Sequence, residues 1–117
     1  MSDIHLDSTV LLALQDVMED EYPVLLDTFL IDSEERLLSL RQAEQATDAQ
    51  SLRLAAHSFK GSCSNMGALM LAGLCRQLEE AARREQLAQA PELVEQVERE
   101  FAIVRILLKS ERQRYRH

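Results

Sequence analysis

The feature that most constrains the fold of this chain is its scarcity of helix-breaking residues. Its 117 residues include only three glycines and two prolines, and aromatic residues make up 4%. Glycine and proline interrupt helices most strongly, whereas the leucine, alanine, glutamate and arginine in which the chain is rich favour them. The sequence therefore predicts an all-α fold, and its length favours a single domain, 1–117, with one core.

Five segments repeat apolar residues at the helical spacing of three to four. They are separated by the "EDEYP" turn, by "TDAQ", by Gly67 and by "LAQAP". The first segment is short, the other four are long, and such short links favour antiparallel neighbours. We therefore expect an antiparallel up-and-down four-helix bundle with an additional short N-terminal helix. The predicted helices are about 8–18, 22–46, 49–66, 69–86 and a last one that Pro91 opens.

Several helix ends are also predicted. Asp7 or Ser8 is expected to cap the first helix, and Thr47 or Asp48 the third, since short polar side chains satisfy free N–H groups at helix starts. Gly67 is the expected C-cap of the third helix. The predicted core covers about 8–110, and the basic segment 111–117 is expected to fray as a tail.

The charge of the chain excludes several classes of function. The formal net charge is −7, whereas nucleic-acid binding generally needs a basic face. Only a short tail with Arg112, Arg114 and Arg116 offers one. There is no run of 18 apolar residues that could span a membrane, and "MSDIHLDSTV" lacks the basic and apolar regions of a signal peptide. We expect a cytoplasmic protein that binds neither nucleic acid nor membrane.

The two cysteines, Cys63 and Cys75, fall on apolar helix faces. Buried free thiols are the favoured interpretation, and a disulfide is the alternative. Two cysteines do not complete a structural zinc site. A carboxylate-bridged di-metal bundle would need inward Glu-x-x-His pairs, but Leu54 stands three residues before His57. No metal site of the chain's own is predicted.

The stretch "AAHSFKGSCSNMG" raises the question of function. At 100° per residue, the apolar side chains of the third helix fall in a stripe roughly 80° wide. His57 lies roughly 150° from the centre of that stripe and is therefore expected on the solvent face. An exposed imidazole near neutral pH is largely uncharged and nucleophilic, and it can attack phosphorus. A solvated surface histidine without function is the alternative.

Gly61 and Lys60 make the functional interpretation of His57 more specific. A glycine inside a helix costs roughly 1 kcal/mol relative to alanine, and core packing cannot explain one on the solvent face. Gly61 lies one turn after His57, so the missing side chain would let another surface approach the imidazole. Lys60, three residues after His57, is within reach to balance a phosphoryl anion on the ring.

At these residues the sequence resembles the signature of histidine-containing phosphotransfer (HPt) domains. The family pattern is Ala-His, then Lys-Gly and two small residues, then Gly, Leu and Leu-Glu. The positions that carry it here are Ala56, His57, Phe59, Lys60, Gly61, Ser62, Cys63, Gly67, Leu71, Leu78 and Glu79. The motif spans about 30 residues, and stand-alone bacterial members of the family are the most similar.

The resemblance implies a phosphorelay intermediate of two-component signalling. His57 would accept a phosphoryl group on Nε2 from a receiver-domain aspartate of a hybrid sensor kinase and pass it to the receiver of a response regulator. Lys60 would stabilise charge, and Gly61 would open the docking face. The chain has no GxxxxGK[ST] phosphate loop, so we expect no ATP site and no autokinase activity. No cofactor of its own is expected, and Mg²⁺ would be held by the receiver partner.

The expected docking face is the exposed side of the third helix with part of the second. Ser58, Ser64 and Asn65 would form its polar rim, and Leu54 either contacts the partner or packs against a neighbouring helix. A non-catalytic helical adaptor that binds receivers is the alternative function. The dimerising histidine domain of sensor kinases is disfavoured, because Ser58 and Ser62 replace its acidic residue and proline. The chain is expected to be a monomer.

Overall fold

The computed structural model describes residues 5–115, and within that range every regular element is helical. Five α-helices follow in chain order: α1 (Ser8–Met18), α2 (Tyr22–Gln45), α3 (Ala49–Asn65), α4 (Leu69–Arg83) and α5 (Ala90–Arg112). Short 3₁₀ turns, Glu19–Glu21 and Leu87–Gln89, link α1 to α2 and α4 to α5. The all-α prediction is confirmed.

Short polar side chains and prolines start the helices. The Asp7 side chain accepts a hydrogen bond from the Thr9 N–H at the start of α1, and the Asp48 side chain accepts from the Ser51 N–H at the start of α3. Pro23 and Pro91 lie in the first turns of α2 and α5, where the N–H that proline lacks has no partner within the helix. Asp48, rather than Thr47, is therefore the cap of α3.

α3 ends in a Schellman motif around Gly67. The Ala68 N–H donates to the Cys63 carbonyl at 2.9 Å, the Gly67 N–H donates to the Ser64 carbonyl at 3.1 Å, and Gly67 has φ +77°. This left-handed conformation suits glycine because it has no Cβ. The motif turns the chain directly into α4, so α3 and α4 form an antiparallel pair.

The four long helices form the predicted up-and-down bundle. α2 contacts α3 and α5, and α4 contacts the same two helices. The antiparallel register of α2 and α5 appears in two ion pairs, Arg41–Glu98 at 2.6 Å and Asp27–Arg112 at 3.0 Å. The apolar stripes meet in one core, whose largest fully buried members are Tyr22, Phe59, Leu26, Leu40, Leu52, Leu71, Leu78 and Leu108.

α1 is the additional N-terminal helix, and it packs on the outside of the bundle. It contains no fully buried residue, and Leu11 and Leu14 contact the core from the rim. The Asp7 N–H donates to the Gly67 carbonyl at 2.9 Å, which holds the start of α1 at the α3–α4 turn. A Cβ on Gly67 would lie 2.9 Å from the Val10 Cβ, so the bare backbone is needed for this contact.

Two boundaries differ from the sequence prediction. α4 ends at Arg83 rather than near Gln86, because Glu85 turns the chain with φ +55°. α5 continues past the predicted core to Arg112, and the ring of Tyr115 lies 5.5 Å from that of Tyr22. Residues 111 and 112 of the predicted frayed tail thus belong to α5, and Tyr115 packs against α2, whereas fraying itself stays a prediction; residues 116 and 117 lie outside the described range.

Candidate functional site

α3 presents two chemically different faces. Leu52, Ala56, Phe59 and Cys63 are buried against the other helices, whereas the side chain of His57 is 65% exposed. The helical period alone separates these positions, since a residue adjacent to Ala56 is rotated about 100° away from the core. The predicted solvent position of His57 agrees with the structure.

Glu79 of α4 contacts both functional side chains that the sequence singled out. Its Oε2 lies 2.8 Å from His57 Nδ1, and its Oε1 lies 2.7 Å from Lys60 Nζ. The Glu79 side chain is only 18% exposed, and that of Lys60 is 29% exposed. Lys60 is therefore an ion-paired and partly buried side chain rather than a freely solvated cation.

The two contacts determine the charge state of Glu79. Burial disfavours the carboxylate, but hydrogen bonds from Lys60 and His57 outweigh burial and lower the pKa of Glu79 below its ordinary value. Glu79 is consequently ionised at neutral pH and can only accept hydrogen bonds.

An acceptor-only carboxylate also determines the tautomer of a neutral His57. Nδ1 must carry the hydrogen that it donates to Glu79, so the lone pair resides on Nε2. Nε2 makes no hydrogen bond to any residue in the range 5–115. The arrangement leaves a nucleophilic nitrogen on an exposed ring whose orientation is held from the other side.

Gly61 leaves open space one turn after His57. A Cβ built on it would meet nothing within 4 Å, and its φ is not in the left-handed region that favours glycine. Neither packing nor backbone conformation within the described chain therefore requires glycine at this position. The bare backbone adjoins the exposed imidazole, as the sequence predicts.

The other residues of the predicted rim lie in different places. Ser58 is partly buried and Leu54 is 54% exposed, and both line a groove between α2 and α3 together with Arg36. Ser64 is exposed on the outer face of α3. Asn65 is also exposed but borders a smaller depression near Leu14 and Leu25 of α1 and α2. Leu54 is thus exposed and at the same time adjacent to α2.

Helical periodicity predicts no chemical role for Glu79, although this residue belongs to the HPt-like pattern. A signal for its position was present in the chain. Gly67 lies ten residues after His57 and twelve residues before Glu79, so an antiparallel turn centred near Gly67 brings the two side chains opposite each other. The register could have been inferred from the predicted Gly67 cap.

Three further features of residues 5–115 bear on function. No group of three or more histidine, cysteine, aspartate and glutamate side chains in this range is arranged to hold a metal ion. Cys63 and Cys75 are both buried and free, in agreement with the predicted thiols. None of the helices in the described part of the chain combines the length and apolar character that a membrane span needs.

Two comparisons with known proteins give a match, and a third gives none. Residues 24–107 match the family described as the Hpt domain. The chain is similar to histidine-containing phosphotransfer protein B (HptB) from Pseudomonas aeruginosa PAO1, whose crystal structure it matches with 70% sequence identity and a TM-score of 0.96. That match covers 98% of this chain and 100% of the other. No curated protein matches the chain.

Proposed function

The chain belongs to the Hpt domain family, and on that premise we propose that His57 is the residue that carries the phosphoryl group. As a member of this family, it is a histidine phosphotransfer intermediate of two-component phosphorelays, and its partners are receiver domains. The exposed Nε2 of His57, with Nδ1 held by Glu79, is the single observation that best supports the assignment.

In the proposed step, the Nε2 lone pair attacks the phosphorus of an aspartyl phosphate on the receiver. The N–P bond forms as the P–O bond to the aspartate breaks, and the electron pair of that bond returns to the aspartate carboxylate. Such transfer depends mainly on positioning and on stabilisation of charge. Glu79 positions the ring, and the open space at Gly61 admits the partner.

The phosphorylated ring retains the hydrogen on Nδ1 and therefore carries a positive charge, which the Glu79 carboxylate balances. The Lys60 ammonium has three N–H donors, of which the Glu79 contact needs only one. We assign the remaining donors to the phosphoryl oxygens, where a charge-assisted hydrogen bond stabilises the anion. Transfer to a second receiver is the reverse step, with another aspartate as nucleophile.

The remaining components of the reaction are assigned to the partners. The donor is the receiver of a hybrid sensor kinase, the acceptor is the receiver of a response regulator, and the receiver holds the Mg²⁺. The chain has no cofactor, no ATP site and no autokinase activity of its own, and it acts as a cytoplasmic monomer without nucleic acid or membrane. The acidic composition supports the proposal that the chain does not bind nucleic acid. The absence of a spanning helix within residues 5–115 is consistent with the proposal that it acts without a membrane.

The test is incubation with a receiver that carries labelled phosphate. Wild-type protein should take up the label, and His57→Gln should not, although it should show the same circular dichroism and thermal unfolding. Label on the His57→Gln protein would assign the phosphoryl group to another residue. If receivers bind the wild-type protein but transfer no label to it, the chain is a non-catalytic adaptor.

A further inference from the structure

The charges of this acidic chain are unevenly distributed. Residues 49–83, which form α3, the turn and α4, contain four cationic and two acidic side chains and therefore have a net charge of +2. The remaining nine cationic and eighteen acidic side chains give the rest of the chain a net charge of −9. α3 itself contains Arg53 and Lys60 but no acidic residue. The helix with His57 thus belongs to the cationic side of the molecule.

Ion pairing divides the arginines in the same way. Within residues 5–115, three arginines have no hydrogen bond or ion pair to another described residue: Arg36 on α2, Arg53 on α3 and Arg76 on α4. Every other arginine in this range lies within 3.5 Å of a carboxylate oxygen. The three arginines without a carboxylate partner therefore lie on α3 or on its two neighbours, α2 and α4.

Their positions surround the exposed histidine. Arg53 lies one turn before His57 and borders a depression with Arg83 of α4. Arg76 is exposed and lies one turn before Glu79, the residue of α4 that contacts His57 and Lys60 of α3. Arg36 lines the groove between α2 and α3 with Ser58, the neighbour of His57, and with the carboxylates of Asp32 and Glu35. Its buried Nε has no hydrogen-bond partner among the described residues.

We propose that Arg36, Arg53 and Arg76 form a cationic docking surface around His57 that selects an acidic protein surface, namely the face of the receiver around its acceptor aspartate. The choice of the receiver as occupant rests on the proposed function. A site that holds an aspartyl phosphate and Mg²⁺ is built from carboxylates. A protein with a net charge of −7 would repel such a site if it had no local excess of cations. Complementary charge accelerates association and orients the partner.

The experiment compares Arg36→Gln, Arg53→Gln and Arg76→Gln, singly and combined, with the control Lys109→Gln. Lys109 is an exposed cation of α5 that has no ion pair within residues 5–115, so its removal changes the net charge by the same one unit as each single arginine variant, but at a distant surface. The triple variant should lower kcat/KM for transfer about tenfold or more at roughly 0.05 M salt, with kcat nearly unchanged. The difference should shrink at about 0.5 M salt because screening weakens exposed charge interactions.

Binding of unphosphorylated receiver to the same arginine variants, made in the His57→Gln protein, separates docking from transfer. Weaker binding of the single arginine variants than of Lys109→Gln supports the cationic surface even if no label ever reaches His57, and in that case only the proposed function fails. Equal losses in the single arginine variants and in Lys109→Gln overturn the proposed surface, as does receiver binding that is independent of salt, while transfer to His57 remains intact.

Discussion

Glu79 Oε2 lies 2.8 Å from His57 Nδ1, across the contact between two antiparallel helices and 22 residues away in sequence. The same carboxylate holds Lys60 at 2.7 Å. One partly buried side chain of α4 therefore determines the tautomer of the exposed imidazole on α3 and the position of the adjacent cation. The chemistry of His57 depends on the α3–α4 register, as well as on its own exposure.

Replacement of Glu79 tests this dependence directly. Glu79→Ala should slow phosphotransfer by about tenfold to a hundredfold, because a hydrogen bond to a charged group is worth roughly 1.5–3 kcal/mol and about 1.4 kcal/mol corresponds to tenfold in rate. Glu79→Gln retains an acceptor without the charge and should lose less. Initial rates with a phosphorylated receiver measure both. Glu80→Gln is the control, since within residues 5–115 the Glu80 side chain bonds only to Arg83 and Arg84; a wild-type rate for Glu79→Ala would refute the positioning role.

Gly61 should show opposite effects on stability and function. Since a Cβ there meets nothing within 4 Å, Gly61→Ala should raise the free energy of unfolding by about 0.5–1 kcal/mol through helix propensity. Gly61→Gln should leave the fold intact but slow phosphotransfer, because its side chain occupies the approach to His57. Urea unfolding and transfer rates are measured on the same preparations, and an unchanged rate for Gly61→Gln contradicts the clearance argument.

Gly67 should respond in the opposite direction from Gly61. Its φ of +77° is unfavourable for residues with a Cβ, and that atom would lie 2.9 Å from the Val10 Cβ and 3.3 Å from the Asp7 carbonyl oxygen. Gly67→Ala should therefore lower the free energy of unfolding by about 1–3 kcal/mol. Urea denaturation of both alanine variants in one series gives the comparison, and equal signs for the two would show that the contact with α1 is unimportant.

The lowered pKa of Glu79 predicts a pH dependence of stability. Its folded-state pKa lies below the ordinary 4.5, so the ion-paired carboxylate stabilises the protein above that pH, and the contribution is lost as pH falls through the folded pKa. The stability advantage of wild type over Glu79→Gln, measured by thermal unfolding, should be full near pH 7, begin to fall as the pH drops through 4.5 and disappear only below the folded-state pKa. A difference that stays constant down to pH 3 would exclude this linkage.

The thiols of Cys63 and Cys75 should be inert in the folded protein. The hydrogen bond to Cys75 and burial both raise the pKa of Cys63, and both residues have no exposed surface. The thiolate is the reactive form, so labelling with a disulfide reagent should be slow in native buffer and complete in denaturant. Two thiols per chain should react after unfolding; rapid labelling of the native protein would instead indicate an open α3–α4 contact.

Much of the fold follows from local signals. Asp7, Asp48 and Gly67 mark helix ends because caps and left-handed turns depend on a few neighbouring residues, and these predictions agree with the structure. α4 ends earlier than its periodicity predicts, because Glu85 adopts a left-handed φ without being glycine. Local signals do not predict the contacts of the segment after residue 110 with Tyr22 and Asp27, because these residues come from a distant part of the chain.

The helices, their buried faces and the exposure of His57 beside Gly61 follow from the sequence, because a period of 100° per residue places each side chain relative to the core. Which side chains meet that histidine depends on how the helices pack. The Glu79 contact, the ion pairing of Lys60 and the grouping of Arg36, Arg53 and Arg76 depend on the register of three adjacent helices. Register is set by packing between distant segments, and helical periodicity within one segment does not contain it.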